Sequence, residues 1–176
     1  GKYHVVYYYF NECGERKQKW ESFDTETEAK HRKAEIEYKQ GNRTFISPNK
    51  TTVSAFLDDF VSLYGTKKWG PSTYEANMGL IRNYINPLIG SVMVQDVTTV
   101  AADRFITALQ KTKCSTFKNR YCKTEYMTPA NIERINKLLR CAFKQAVRWD
   151  IIAKNPFDNT TLPKVKRKPR GFWDAA

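Results

Sequence analysis

The stretch TPANIERINKLLRCAFKQAVRWDIIAKNPF, residues 128–157, reads as one long helix with two unlike faces. Thr128 is a natural N-cap, and Pro129 suits the first helical position, where its missing N–H costs nothing. The helix is expected to run to about Trp149, and the chain to turn at Asn155-Pro156. Stepping 100° per residue from Arg134 places Ile132, Ile135, Leu138, Leu139, Ala142, Phe143, Ala146 and Val147 between about 40° and 220°. Arg134, Lys137, Arg140, Lys144 and Arg148 fall between about 240° and 360°. One face is therefore expected to pack inward. The other is expected to present five cations with no acid among them. Solvated faces usually mix signs to limit self-repulsion, so phosphate contact is the sharper reading and a plain solvated face the bland one.

The charge of the whole chain supports the sharper reading. The 176 residues carry a formal net charge of +12. Residues 111–155 alone hold 11 Lys and Arg against 3 Asp and Glu, whereas residues 51–110 hold 4 against 5. A polyanionic partner follows, nucleic acid ahead of an anionic membrane. At 41% hydrophobic residues the chain can bury a core. No run approaches the length of a membrane span, and the start lacks a signal-peptide pattern. Cys13, Cys114, Cys122 and Cys141 form no C-x-x-C pair, and only His4 and His31 could assist them, so zinc is not expected. Reduced thiols in a cytoplasmic protein are the simple account.

Upstream the sequence changes character. KYHVVYYYF, residues 2–10, is aromatic and β-branched; NECGE turns, with Gly14 able to take a positive φ; ERKQKWESF resumes an extended pattern. A hairpin is expected, with a third short strand near Trp20–Phe23. Thr25 or Thr27 then caps the helix TETEAKHRKAEIEYKQ, whose Glu26 and Glu28 suit the first turn. GNRTFISPNKT, residues 41–51, reads as a linker. Beyond it Thr52 caps VSAFLDDFVSLY, and Ser72 with Glu75 forms a capping box for TYEANMGLIRNYI. Asn86-Pro87 is expected to end that helix, and Thr98 or Thr99 to open the next, through Leu109. Residues 111–127 read as a polar, basic loop.

Three further surfaces carry two readings each. Ser72, Ala76, Gly79 and Asn83 line up opposite Tyr74, Met78, Ile81 and Ile85. Such a small-residue face either packs closely on another helix or enters a major groove, with Asn83 and Arg82 reading bases or phosphates. LPKVKRKPR, residues 162–170, is either a solvated tail or a basic strap along DNA. In the hairpin, Arg16, Lys17 and Lys19 stand among Tyr7, Tyr8, Tyr9 and Trp20. Those aromatics fill the core under the helix or face DNA, as in other β-sheet readers; several must join Phe23 and Ala29 in the core, so only part of the set can face DNA.

The ordered set TVSAFLDDFVSLYG, PSTYEANMGLIRNYINPLIG and TPANIERINKLLRCAFKQAVRWDIIAKNPF resembles the core-binding region of tyrosine recombinases of the phage and transposon integrase group. GERKQKWESFDTETEAKHRKAE resembles their arm-type DNA-binding domain. The likeness spans nearly the whole chain and is nearest to integrases of conjugative transposons. It implies an α+β chain. A small three-stranded sheet plus helix (1–41) and a linker (42–51) precede an all-α, four-helix, SAM-like core-binding domain (52–157). A basic segment (158–176) then leads towards a catalytic domain. The resemblance makes Arg134, Lys137, Arg140, Lys144 and Arg148 candidate DNA-facing residues, with Ser72, Thr73, Ala76, Gly79, Arg82 and Asn83. It adds Lys164, Lys166, Arg167, Lys168 and Arg170 after the turn, and Arg16, Lys17 and Lys19 in the sheet.

One departure matters. The family cleaves DNA with a Tyr nucleophile supported by Arg, Lys and His, including an H-x-x-R element. Here His4 is followed at that distance by Tyr7 and His31 by Ala34. The sequence stops at GFWDAA, where the catalytic domain would be expected to begin. The expectation is therefore a DNA-binding fragment or natural truncation of a site-specific integrase, without catalytic residues, metal or cofactor. Its expected partners are double-stranded DNA at core-type and arm-type sites, other integrase protomers, and an excisionase or DNA-bending protein. The expected setting is the cytoplasm of a bacterial or phage-infected cell. The alternatives are a stand-alone regulator or architectural, excision-type protein that never had a catalytic domain, and an RNA-binding module. The last lacks a glycine-rich aromatic signature.

Overall fold

The computed structural model describes residues 1–11, 13–42, 44–114 and 125–164. Two antiparallel strands open the chain, β1 (Tyr3–Phe10) and β2 (Arg16–Phe23), paired from Tyr3 opposite Phe23 to Phe10 opposite Arg16. The turn between them is built by Asn11. Its Oδ1 accepts from the backbone N–H groups of Cys13 (3.1 Å) and Glu15 (2.8 Å). Gly14 takes φ +76°, which a side chain would strain. The expected third strand is absent among the described residues. Trp20–Phe23 is the second half of β2, because nothing between Arg16 and Phe23 breaks an extended chain.

Helix α1 (Glu26–Gly41) follows, capped by Thr25, whose Oγ1 accepts from Glu28 N. Val5 and Tyr7 from β1 pack against Ala29 and Ile36, with Tyr9, Phe23 and Phe45 around them. This core is small, so polar contacts carry much of the cohesion. Glu21 points to the helix side, accepts from Tyr7 Oη at 2.7 Å and pairs with Arg32 at 2.8 Å. Arg32 also reaches Glu35 (2.8 Å), which Lys39 holds from the other side (2.6 Å).

The second, larger core is entirely helical. Its elements are α2 (Val53–Phe60), α3 (Thr66–Lys68), α4 (Pro71–Leu80), α5 (Asn86–Ile89), α6 (Thr99–Gln110) and α7 (Pro129–Arg148). Four helices were expected. The described residues hold these six α segments, because two stretches are each divided by a π turn, Val61–Gly65 and Ile81–Ile85. Thr52, Thr98 and Thr128 each cap a helix by accepting from the N–H three residues on. The expected Ser72–Glu75 capping box does not form. Pro71 occupies the first turn behind Gly70, so Ser72 is already inside the helix. Nor does Asn86-Pro87 end the helix. The π turn directly before Pro87 absorbs the missing N–H and the ring, and α5 continues to Ile89.

Phe56, Phe60, Phe143 and Phe157 are buried at the centre with Leu57, Ile106, Leu109, Ile132, Ile135 and Leu139. Phe157 is seated by the turn after α7. Asn155 Oδ1 accepts from Phe157 N (3.0 Å), and its ring lies 4.9 Å from that of Phe143. Asn155 Nδ2 donates to Arg140 O (3.0 Å), which ties the returning chain to the outside of α7.

Candidate nucleic-acid interface

The fold-back after α7 converts a helix face into a groove. Ile132, Ile135, Leu138, Leu139, Ala142, Phe143 and Ala146 are buried, and Arg134, Lys137, Arg140, Lys144 and Arg148 are exposed. Lys137, Arg140 and Lys144 line an open groove of about 800 Å³, whose other wall is Ala153, Lys154, Asn155, Asp158 and Asn159, with Thr99 at the start of α6. The angular reading of α7 placed the cations correctly but overlooked an acid. Glu133 lies one turn before Lys137 and pairs with it at 2.8 Å, and Arg140 Nε reaches Asp158 Oδ1 at 2.8 Å. The face is therefore not free of acids. Among the groove-lining residues four are cations and one, Asp158, is an acid. Lys154, Asn155 and Asn159 were missed as site residues. The signal was the Asn155-Pro156 turn, which implies a return of the chain along α7.

On the α4 stretch, Ser72, Thr73, Arg82 and Asn83 are exposed and Ala76 and Gly79 half-buried, while Ile81 and Ile85 are buried. A Cβ added at Gly79 would meet nothing within 4 Å. Among the described residues, no helix packs closely against Gly79. Arg82 and Asn83 sit in the π turn, which re-aims side chains relative to α4.

The sheet separates its residues by register. Directly paired residues share a face. Tyr3, Val5, Tyr7 and Tyr9 thus lie on the α1 side with Lys17, Lys19, Glu21 and Phe23. His4, Val6, Tyr8 and Phe10 lie on the outer face with Arg16, Gln18, Trp20 and Ser22. That outer face is open: Tyr8 is 48%, Phe10 65% and Trp20 63% exposed. The Arg16 guanidinium stacks 4.0 Å above the Tyr8 ring. Register divides the aromatics: Tyr7 and Tyr9 turn to the α1 side, Tyr8 and Trp20 to the open face. Of the three cations singled out, Arg16 stands on the outer face. Lys17 pairs with Glu15 (2.9 Å) and Lys19 with Glu21 (3.7 Å) on the other.

The electrostatics fix the inner side. Hydrogen bonding from Lys39, then Arg32, holds the Glu35 carboxyl down at about 2. The Arg32 hydrogen bond lowers Glu21. Burial, then the Glu21 carboxylate, pushes the Tyr7 hydroxyl well above its usual range. Lys164 is exposed beyond the groove. Lys166, Arg167, Lys168 and Arg170 lie outside the described residues. No cluster of three or more His, Cys, Asp or Glu among the described residues is placed to hold a metal ion. No helix among them is long and apolar enough to cross a membrane.

Residues 1–40 match the arm DNA-binding domain family. Solved structures add a fold likeness. The integrase-like domain from Bacillus cereus is similar with a TM-score of 0.56 and 20% identity, over 69% of this chain and 92% of that one. The Tn1549 transposon integrase, solved in complex with a circular intermediate DNA, is similar with a TM-score of 0.50 and 22% identity. That match covers 68% of this chain and 35% of the integrase. No curated protein matches the chain. The chain thus shares its fold with integrase domains, and its first 40 residues match the arm DNA-binding family.

Proposed function

We propose that this chain binds double-stranded DNA through two surfaces, as the N-terminal portion of a site-specific tyrosine integrase that moves a mobile element in a bacterial cell. The arm domain takes an arm-type site with its outer sheet face, through Arg16, Trp20, Tyr8 and neighbours. The helical part takes a core-type site. Lys137, Arg140, Lys144, Lys154, Arg134 and Arg148 hold phosphates there, and the open α4 face with Arg82 and Asn83 approaches the bases. Lys17 and Lys19 reach the backbone from the rim of the sheet, and Lys164 with the residues after it extends the phosphate track. Other protomers share the same DNA.

The observation that carries the reading is the groove beside α7. Four cations surround it with one carboxylate, and it stays open while the opposite side of the same helix is buried. Phosphate contacts supply affinity and position, and base contacts supply selectivity. The test is titration of labelled duplexes with the full chain at several salt concentrations. Binding with a steep salt slope that also discriminates between sequences supports the proposal. Equal affinity for single-stranded RNA, or salt-dependent binding without any sequence preference, would overturn it.

A further inference from the structure

Residues 44–50 join the two cores, and they are docked along their length. Thr44 N donates to Lys39 O (2.9 Å), and the Phe45 ring meets that of Tyr7 edge-on at 5.7 Å. Ser47 Oγ donates to Phe10 O (2.9 Å) at the end of β1. On the other side the Ser47 carbonyl accepts from Gln95 Nε2 at 2.9 Å. The same amide nitrogen donates to Ile151 O (2.9 Å), and Gln95 Oε1 accepts from Asn49 N (3.0 Å). Val94 N then donates to Thr51 O (3.0 Å), and Val53 N to Val92 O (2.8 Å), which locks the strap into the helical part.

Ser47 thus touches both sides, its hydroxyl bonded to Phe10 O and its carbonyl to Gln95, between the Thr44 and Phe45 contacts on one side and the Asn49 contact on the other. The Gln95 amide has one orientation, because the Asn49 N–H requires oxygen opposite it. It uses both of its N–H groups and an acceptor to hold three segments together. The seam beside it, lined by Asn11, Cys13, Ser47–Lys50 and Trp149–Ile151, contains a cavity of about 280 Å³. The orientation of the arm domain therefore rests on a few polar contacts centred on Gln95 rather than on a packed apolar interface.

We propose that Gln95 is a positioning residue: it pins the strap so that the outer sheet face and the α7 groove keep one relative orientation, and the chain prefers paired DNA sites of matching geometry. The pinning stands on the contacts alone, whereas the DNA preference rests on the function proposed above. A stiff connection raises the effective concentration at a second site where the geometry matches and lowers it elsewhere. A free tether spreads that advantage over many spacings.

Residual dipolar couplings measured on the full chain test the pin without DNA. The wild type should show one alignment tensor for both cores. Gln95→Ala should show two, with amide shifts inside each core unchanged away from Gln95 and its partners Ser47, Asn49 and Ile151. Ser47→Ala, which removes only the bond to Phe10 O and touches neither core, should also split them. A shared tensor in both variants, or two tensors in the wild type, overturns the pin. Duplexes carrying an arm-type and a core-type motif at spacings stepped through one helical turn test the rest. The wild type should vary on the order of tenfold with spacing, and Gln95→Ala about threefold or less. Split tensors with an unchanged spacing preference overturn the positioning role. Failure of the wild type to bind either motif overturns the DNA half together with the proposed function, while the couplings still decide the pin.

Discussion

Asp158→Asn should make the protein bind DNA more tightly. Asp158 is the one carboxylate among the groove-lining residues, and its Oδ1 holds Arg140 Nε at 2.8 Å and Asn155 Nδ2 at 3.1 Å. A phosphate approaching Arg140 meets the repulsion of that carboxylate and competes with it for the guanidinium. Asn keeps an oxygen acceptor for Asn155, so the turn that seats Phe157 is retained. The ion pair is open to solvent on both sides, so its loss changes folding stability little. One additional phosphate contact steepens the slope of log K against log salt by about 0.9. Between 50 and 200 mM salt, a factor of about four, that slope corresponds to roughly 3.5-fold in affinity. The assay is fluorescence anisotropy on a core-type duplex over that salt range, with Lys144→Ala as the opposite perturbation. Asp158→Asn should steepen the slope by about 0.9 and Lys144→Ala should flatten it by about the same amount. Lys30→Ala on α1, paired with Glu26 outside the groove, should leave it unchanged. An unchanged or flatter slope for Asp158→Asn, in a protein whose melting is unaltered, would refute the groove as the phosphate site.

Other perturbations separate the two cores. Trp20→Ala removes an exposed ring from the outer sheet face and should shift stability by no more than about 0.5 kcal/mol. It should nonetheless abolish arm-type binding, read by titration with an arm-type duplex, and leave core-type binding intact. Phe157→Ala empties a fully buried site between Phe143 and Phe105 and should cost about 3–5 kcal/mol in denaturant melts of the helical part. The arm domain should be acid-sensitive. Glu35 and Glu21 have folded values below the unfolded one of 4.5, so their contribution is present above that pH and is lost as pH falls, for Glu35 towards about 2. Tyr7 is raised above its unfolded value of 10.0, so its contribution is complete below that pH and is lost above it. Arm-domain amide signals followed by NMR should melt first at both extremes, and Glu21→Gln should flatten the acid limb.

The parts of the fold legible in the sequence were those set by local chemistry. Thr52 and Thr128 announced helix starts because a hydroxyl at the cap satisfies free N–H groups, and the same chemistry narrowed two others to Thr25 or Thr27 and Thr98 or Thr99, of which the first of each caps its helix. The face of α7 was legible because 3.6-residue periodicity sorts Leu138 and Phe143 from Arg140 and Lys144. What escaped depended on partners distant in sequence. The Arg140–Asp158 pair needs the turn at Asn155 to bring residue 158 back along the helix. The two faces of the hairpin were ambiguous because Tyr7 and Tyr8 are alike in composition, and only register assigns one to the core and the other to solvent. Pro87 misled because a π turn can absorb a proline that an unbroken α-helix rejects. The strap at residues 44–50 looked free because two of its anchors, Phe10 and Gln95, lie 37 and 48 residues from Ser47.

Selection of binding sites from random duplex DNA with the full chain, at two salt concentrations, tests the two-surface account most directly. Two unrelated motifs should be recovered, with Trp20→Ala deleting one and Lys144→Ala combined with Lys154→Ala weakening the other. A single motif lost in both variants, or no enrichment with binding that vanishes as salt rises, would contradict it.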